Sequence, residues 1–89
     1  MVSRSVAVAN ALGMHARAAA RFVHAASAFH ARISVTRGVR TVDGKSILGI
    51  LLLAAARGSE IVLTADGPDE TTALETLCAL VESGFGEGT

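Results

Sequence analysis

The chain reads as an α+β domain with strands and helices in the order βαββαβα, the helices packed on one face of a mainly antiparallel, four-stranded sheet. Three observations carry this. Three short segments carry the apolar–polar pattern of a half-buried strand, two longer segments carry apolar stripes at helical spacing, and a third is apolar on nearly every side. Two of the strand segments are separated only by a turn at Gly38, which makes them an antiparallel hairpin. With 89 residues, a single domain spanning 1–89 is expected, with no room for a separate catalytic domain.

The elements follow in order. Ser5 to Val8 alternates as a first strand, and Asn10 to Gly13 forms the loop after it. The alanine-rich run Ala16 to Ala28 is a helix whose inward stripe is Ala19, Phe22, Val23 and Ala26, leaving Arg17, Ala20, Arg21 and His24 toward solvent or a partner. Arg32 to Arg37 turns Ile33 and Val35 inward, and Val39 to Val42 returns as the hairpin partner. Asp43-Gly44 turns into a second helix, which starts near Ile47 and ends at Gly58 as its C′ residue. Glu60 to Ala65 is the fourth strand. Asp66-Gly67-Pro68-Asp69 turns into the last helix with Pro68 at its first position. Ala73, Leu74, Leu77, Cys78 and Val81 form its buried stripe, Gly84 stops it, and the glycine-rich tail 84–89 is expected to fray.

Composition narrows the function. Half the residues are apolar, enough for an efficient core in a chain of this size, which buries about 60–65% of its unfolded surface. The formal net charge is zero and there is no Trp or Tyr, which argues against a nucleic-acid partner. Cys78 is the lone cysteine, so no internal disulfide forms, and a reducing, cytoplasmic compartment fits; the residue itself reads as a small core hydrophobe. No secretory signal is visible, and the most apolar run, Ile47 to Ala56, is about half the ~20 residues that cross a bilayer. A soluble protein is expected.

Chemistry points to one place. His15 stands at or near the N-cap of the first helix, where free backbone N–H groups and the helix dipole favour anions, phosphate above all. Arg17 adds a planar cationic fork suited to phosphate oxygens. A neutral imidazole is a competent nucleophile near neutral pH, so the pair suggests a histidine that carries a phosphoryl group. The plain alternative is a polar capping histidine. His24 lies nine residues farther along the same helix, too far to share such a site, and His30 sits in a loop. No spacing of His, Cys, Asp or Glu suggests a metal, and no Ser/His/Asp assembly is evident. Gly44-Lys45-Ser46 resembles the end of a P-loop, but Val39 occupies the position that needs the first glycine, so a nucleotide site is rejected.

Ser46, as a bare residue, is an N-cap for the second helix. That helix is apolar on nearly every side from Ile47 to Leu53, more than a short surface helix can bury. Ile50, Leu53 and Ala54 are assigned to the core, and Ile47, Leu48 and Leu51, with Ala20 of the first helix, to an exposed patch. With Arg17 and Arg21 around it, such a patch suits a transient, acidic-rimmed partner.

Two separated motifs, Gly13-Met14-His15-Ala16-Arg17-Ala18-Ala19 and, about thirty residues on, Asp43-Gly44-Lys45-Ser46-Ile47-Leu48-Gly49, resemble those of the HPr family, the histidine-containing phosphocarriers of the bacterial phosphoenolpyruvate-dependent phosphotransferase system. The resemblance runs from about Val2 to Val81. It implies an open-faced β-sandwich. It further implies a phosphoryl-relay component without turnover of its own, phosphorylated on Nδ1 of His15 by phospho-enzyme I and passing the group to an enzyme IIA-type domain. By the same resemblance Arg17 steadies the phosphoryl group, the backbone of Ala16 and Arg17 cradles it, and Ala20, Ile47, Leu48 and Leu51 dock partners. No cofactor is bound; Mg²⁺ and phosphoenolpyruvate serve the upstream enzyme I. A monomer is expected, with no membrane association. Ser46 becomes a target for an HPr kinase/phosphorylase, and a regulatory interaction protein switched there is the alternative function. Ala18 stands where many members have proline, which implies a slightly looser site. The loop Asn10-Ala11-Leu12-Gly13 looks closer to nitrogen-type members, so both a sugar-transport and a regulatory relay stay open.

Overall fold

The computed structural model describes residues 1–86, and its elements follow the expected order. They are β1 (Val2–Ala7), α1 (Ala16–Ser27), β2 (Arg32–Arg37), β3 (Arg40–Asp43), α2 (Ile47–Leu52), β4 (Glu60–Asp66) and α3 (Glu70–Glu82), followed by a 3-10 turn at Gly84–Gly86. The strands form one sheet in the order β1-β4-β2-β3, every neighbouring pair antiparallel. The last strand therefore lies inside the sheet, between β1 and β2. It follows that β1 and β2 run parallel to each other with β4 between them, and that α1 is the crossover that joins them.

Register sorts the residues by face. Val6 opposes Ile61, Val35 opposes Leu63, and Ile33 opposes Ala65, so these side chains share one face and are all buried. Phe22 and Ala18, Ala19 and Ala26 of α1, Ile50 of α2, and Ala73, Leu74, Leu77, Cys78 and Val81 of α3 complete that core. Alanines on the α1 face leave no bulky side chain in the way, which lets the helix pack closely. The opposite face carries hydroxyls: Ser3 bonds Thr64 and Thr36 bonds Thr41, each at 2.9 Å across neighbouring strands.

Several boundaries differ from the sequence expectation. Helix α2 does not run to Gly58 but ends at Leu52, with Leu53 as C-cap and Ala54 in the left-handed region at φ 52°. The reason is tertiary. The carbonyls of Leu52 and Leu53 accept from the guanidiniums of Arg40 and Arg37 at 2.7 and 3.0 Å, and the Ala55 carbonyl accepts from the Met14 amide at 2.9 Å. A continued helix would withdraw these acceptors. Ala54, assigned to the core, is therefore exposed, and Ala55 is buried in its place. Gly58 serves the turn into β4, where its amide bonds the carbonyl of Val8 at 2.8 Å.

The last helix starts later than Pro68. Asp69 is its N-cap and Glu70 its first residue, because the Asp69 carboxylate is committed elsewhere, accepting from the amides of His30 and Ala31 at 2.8 Å each. The expected fraying from Gly84 is also corrected. Gly84–Gly86 turns back on the domain, Phe85 is buried, and its carbonyl accepts from the Arg21 guanidinium of α1. Residues 87–89 of that tail lie outside the described residues.

Candidate functional site

The site is built on the junction of the β1–α1 loop with the first turn of α1. The loop closes on itself: the Gly13 amide bonds the Asn10 carbonyl at 3.1 Å, and the Asn10 side-chain Nδ2 bonds the Gly13 carbonyl at 2.7 Å. Gly13 takes φ 65°, a conformation costly for any residue with a Cβ, and it lies against the backbone of Ala55 and Ala56. Met14 is buried and its amide is held by Ala55. The chain then emerges at His15 in an extended conformation (φ −73°, ψ 178°), the usual geometry of an N-cap.

His15 caps α1 through its ring. Nδ1 accepts from the Arg17 amide at 3.3 Å, while the His15 carbonyl accepts the first intrahelical bond from Ala19 at 2.8 Å. An Nδ1 that accepts is unprotonated, so the neutral ring carries its hydrogen on Nε2. The atom holding the lone pair thus faces the positive end of the helix dipole. No acidic residue stands in the first turn to offset that field, and Arg17 is exposed beside it. A half-buried, oriented nucleophile directed at helix-end amides can accept an anionic electrophile and stabilise its oxygens.

Ser46 is the N-cap of α2, its Oγ accepting from the Gly49 amide at 3.0 Å. The preceding turn is fixed by Asp43, whose carboxylate accepts from the Lys45 amide at 2.9 Å, and the Lys45 ammonium is spent on the carbonyl of Phe29 at 2.7 Å. Helices α1 and α2 pack against each other. On α2, Ile47, Leu48 and Leu51 are exposed, Leu48 at 67%, while Ile50 and Leu53 are in the core; Ala20 is exposed on α1. Leu52 and Val39 add exposed apolar surface that sequence reasoning did not assign, since nearly every position of the α2 run is apolar and only the docked helix distinguishes its faces.

Other candidates stay apart from this site. His24 and His30 are exposed and join no cluster, and among the described residues no group of His, Cys, Asp or Glu could hold a metal ion. Cys78 is buried, and desolvation pushes its thiol above the ordinary range, as expected of a core residue. No helix among the described residues is long and apolar enough to cross a membrane. Sequence reasoning missed the burial of Asn10 and the contribution of Ala55; the spacing of Asn10 to Gly13 was the available signal, as asparagine side chains commonly close such turns.

Comparison with known proteins gives concordant results. A family model described as PTS HPr component phosphorylation site matches residues 2–83. The phosphocarrier protein HPr of Cupriavidus necator is 44% identical over 88 residues, covering 99% of each chain. The phosphocarrier protein NPr of Shewanella violacea is 40% identical over 86 residues, covering 97% of this chain and 94% of its own. Among solved structures, HPr-C-His from Thermoanaerobacter tengcongensis superimposes with a TM-score of 0.94 at 41% identity over 98% of both chains.

Proposed function

This chain belongs to the HPr family of phosphocarrier proteins of the phosphotransferase system, and from that premise we propose that His15 is the residue that carries the phosphoryl group, on Nδ1. The observation that supports this most is the direction of the ring: Nδ1 accepts from the Arg17 amide at the start of α1. In the transfer, the Arg17 amide releases the Nδ1 lone pair, which attacks phosphorus of phospho-enzyme I; an N–P bond forms, the bond from phosphorus to the donor breaks with its electron pair returning to the donor, and the freed amide turns to a phosphoryl oxygen. The phosphoryl oxygens then lie over the amides of Ala16 and Arg17, with the Arg17 guanidinium beside them. Attack by an enzyme IIA-type acceptor reverses the sequence and frees His15. The chain is a relay and not a catalyst; Mg²⁺ and phosphoenolpyruvate are requirements of enzyme I, and no cofactor is needed on the carrier.

Partners dock on Ala20, Ile47, Leu48 and Leu51, exposed residues of α1 and α2. One copy holds every residue of the site, which supports a monomeric carrier, and the single buried Cys78 fits a reducing cytoplasm. The similarity to both HPr and NPr proteins supports an enzyme IIA-type acceptor as the common partner class. A second reading is favoured by Ser46. Its hydroxyl caps α2 directly before the exposed Ile47 and Leu48, so phosphorylation by an HPr kinase/phosphorylase would put about two negative charges beside the docking patch.

The test is intact-mass analysis after incubation with enzyme I, Mg²⁺ and phosphoenolpyruvate. One acid-labile phosphoryl adduct on the wild type, absent from His15→Ala, is expected. No adduct, with the same enzyme I active on another carrier, overturns the reading.

A further inference from the structure

The C-terminal turn and Asn10 together form a support behind His15 that does not itself touch the phosphoryl group. Asn10 is 1% exposed, an unusual burial for a polar residue in a loop. Its Nδ2 bonds the Gly13 carbonyl two residues ahead of His15. On its other side lies the turn Gly84–Gly86: a Cβ built on Gly84 would stand 3.4 Å from the Asn10 Cβ, so backbone and side chain are packed in contact. The turn is held from a third direction. Phe85 is 1% exposed with φ 59°, a left-handed conformation that a phenylalanine adopts only when its surroundings impose it, and its carbonyl accepts from Arg21 of α1. Arg21 lies midway along α1, the helix that His15 caps. The described C-terminal end of the chain is thereby tied to the loop that precedes His15 and to the helix that follows it.

We propose that Asn10 is a positioning residue for His15, and that the turn Gly84–Gly86, buried through Phe85 and anchored by Arg21, is the clamp that keeps Asn10 in place. The inference rests on His15 as the phosphoryl carrier. Phosphoryl transfer is sensitive to the placement of the nucleophile, since a displacement of about 1 Å can cost on the order of a hundredfold in rate. The ring of His15 is oriented by the amide of Arg17, and the loop that delivers it is closed by Asn10; loss of the Nδ2 bond would leave the Gly13–Met14 peptide held on one side only, by the Met14 amide on the Ala55 carbonyl, and so loosen the direction of Nδ1.

Three variants test this in the full-length chain. Asn10→Asp keeps the size and removes the Nδ2 donor, Phe85→Ala empties the clamp, and Arg21→Lys keeps the charge without the planar fork that anchors the Phe85 carbonyl. Ile61→Val, in the core of β4, supplies a destabilised chain whose site is untouched. Two readouts are taken: the carrier's kcat and KM as substrate of enzyme I with phosphoenolpyruvate, and the imidazole ¹⁵N and Arg17 amide resonances of the unphosphorylated chain.

For Asn10→Asp and Phe85→Ala, kcat is expected to fall about tenfold with KM within about twofold, with both resonances displaced. Arg21→Lys should show the same changes to a smaller extent, whereas Ile61→Val should stay near wild type in both. Wild-type kcat and undisplaced resonances in Asn10→Asp and Phe85→Ala overturn the proposal, as does displacement of equal size in Ile61→Val. If Phe85→Ala fails to fold, Asn10→Asp decides alone. If the wild-type chain takes up no phosphoryl group, the carrier reading fails, whereas the resonances still decide whether Asn10 and the clamp orient the ring.

Discussion

At the scale of single residues, the position most tightly constrained around the site is Gly13. Its φ of 65° is unfavourable for any L side chain, and a Cβ there would stand 2.6 Å from the Ala55 carbonyl oxygen and 2.9 Å from the Ala56 Cα. Both neighbours are backbone, so neither can rotate away. Gly13→Ala is therefore expected to lower stability by about 2–3 kcal/mol in urea unfolding, without changing the dependence on urea concentration. An alanine variant as stable as wild type would mean that the 54–56 segment yields easily and does not hold the loop. Arg17 illustrates the opposite case. It is exposed, so packing places little constraint on it, and Arg17→Ala is expected to leave stability within about 0.5 kcal/mol of wild type in urea unfolding.

At the scale of elements, α2 is the informative one. Six residues are far too few for a helix to persist by itself, so its ends and its packing must hold it. Ser46 caps the start, while Arg37 and Arg40 of the β2–β3 hairpin take the last carbonyls. Replacing Ser46 by Ala removes the cap and should cost about 1 kcal/mol, read as a lower urea midpoint. Ser46→Asp keeps a capping oxygen and places a negative charge at the favourable end of the dipole, so stability should be retained. Its effect should appear in function: a higher KM toward enzyme I, with kcat little changed and the deficit narrowing as ionic strength rises. A KM equal to wild type at low salt would argue that partners do not approach this end of α2.

At the scale of the whole molecule, Asp69 joins the start of α3 to the entry of β2. Its carboxylate is held below the ordinary range first by the hydrogen bond from the His30 amide and then by that from Ala31, with burial opposing. The sign follows from proton linkage. Between the folded and unfolded values the unfolded chain binds more protons, so stability rises with pH. The contribution is complete above the unfolded value of about 3.9 and is lost as pH falls through the lower folded value. Asp69→Ala should lower the Tm at neutral pH and flatten the acid limb of the Tm–pH curve, so that the gap to wild type starts to narrow below about pH 4 and narrows furthest below the lower folded value. Parallel curves with a constant gap down to the most acid pH would mean that the charge of Asp69 contributes nothing to that join. The same paired amides explain why α3 begins at Glu70 and not at Pro68.

What the amino-acid sequence determines by itself is local or repetitive. Strand and helical patterns placed β1, β2, β4, α1 and α3, because each reports which side of one element is buried, while the turn at Gly38 placed β3 and an unbroken apolar run placed α2. His15 ahead of Ala16, and Ser46 ahead of Ile47, were legible as caps because a cap bonds amides only two or three residues away. Membership of the phosphocarrier family was legible from two motifs whose residues are contiguous. Tertiary structure decided the rest. The place of β4 inside the sheet, the early end of α2, the exposure of Ala54, the burial of Asn10 and the return of Phe85 all depend on partners distant in the chain: Val8 with Gly58, Met14 with Ala55, Arg21 with Phe85. Backbone groups in these segments must find donors and acceptors wherever the fold brings them, and that choice leaves no periodic trace in the sequence.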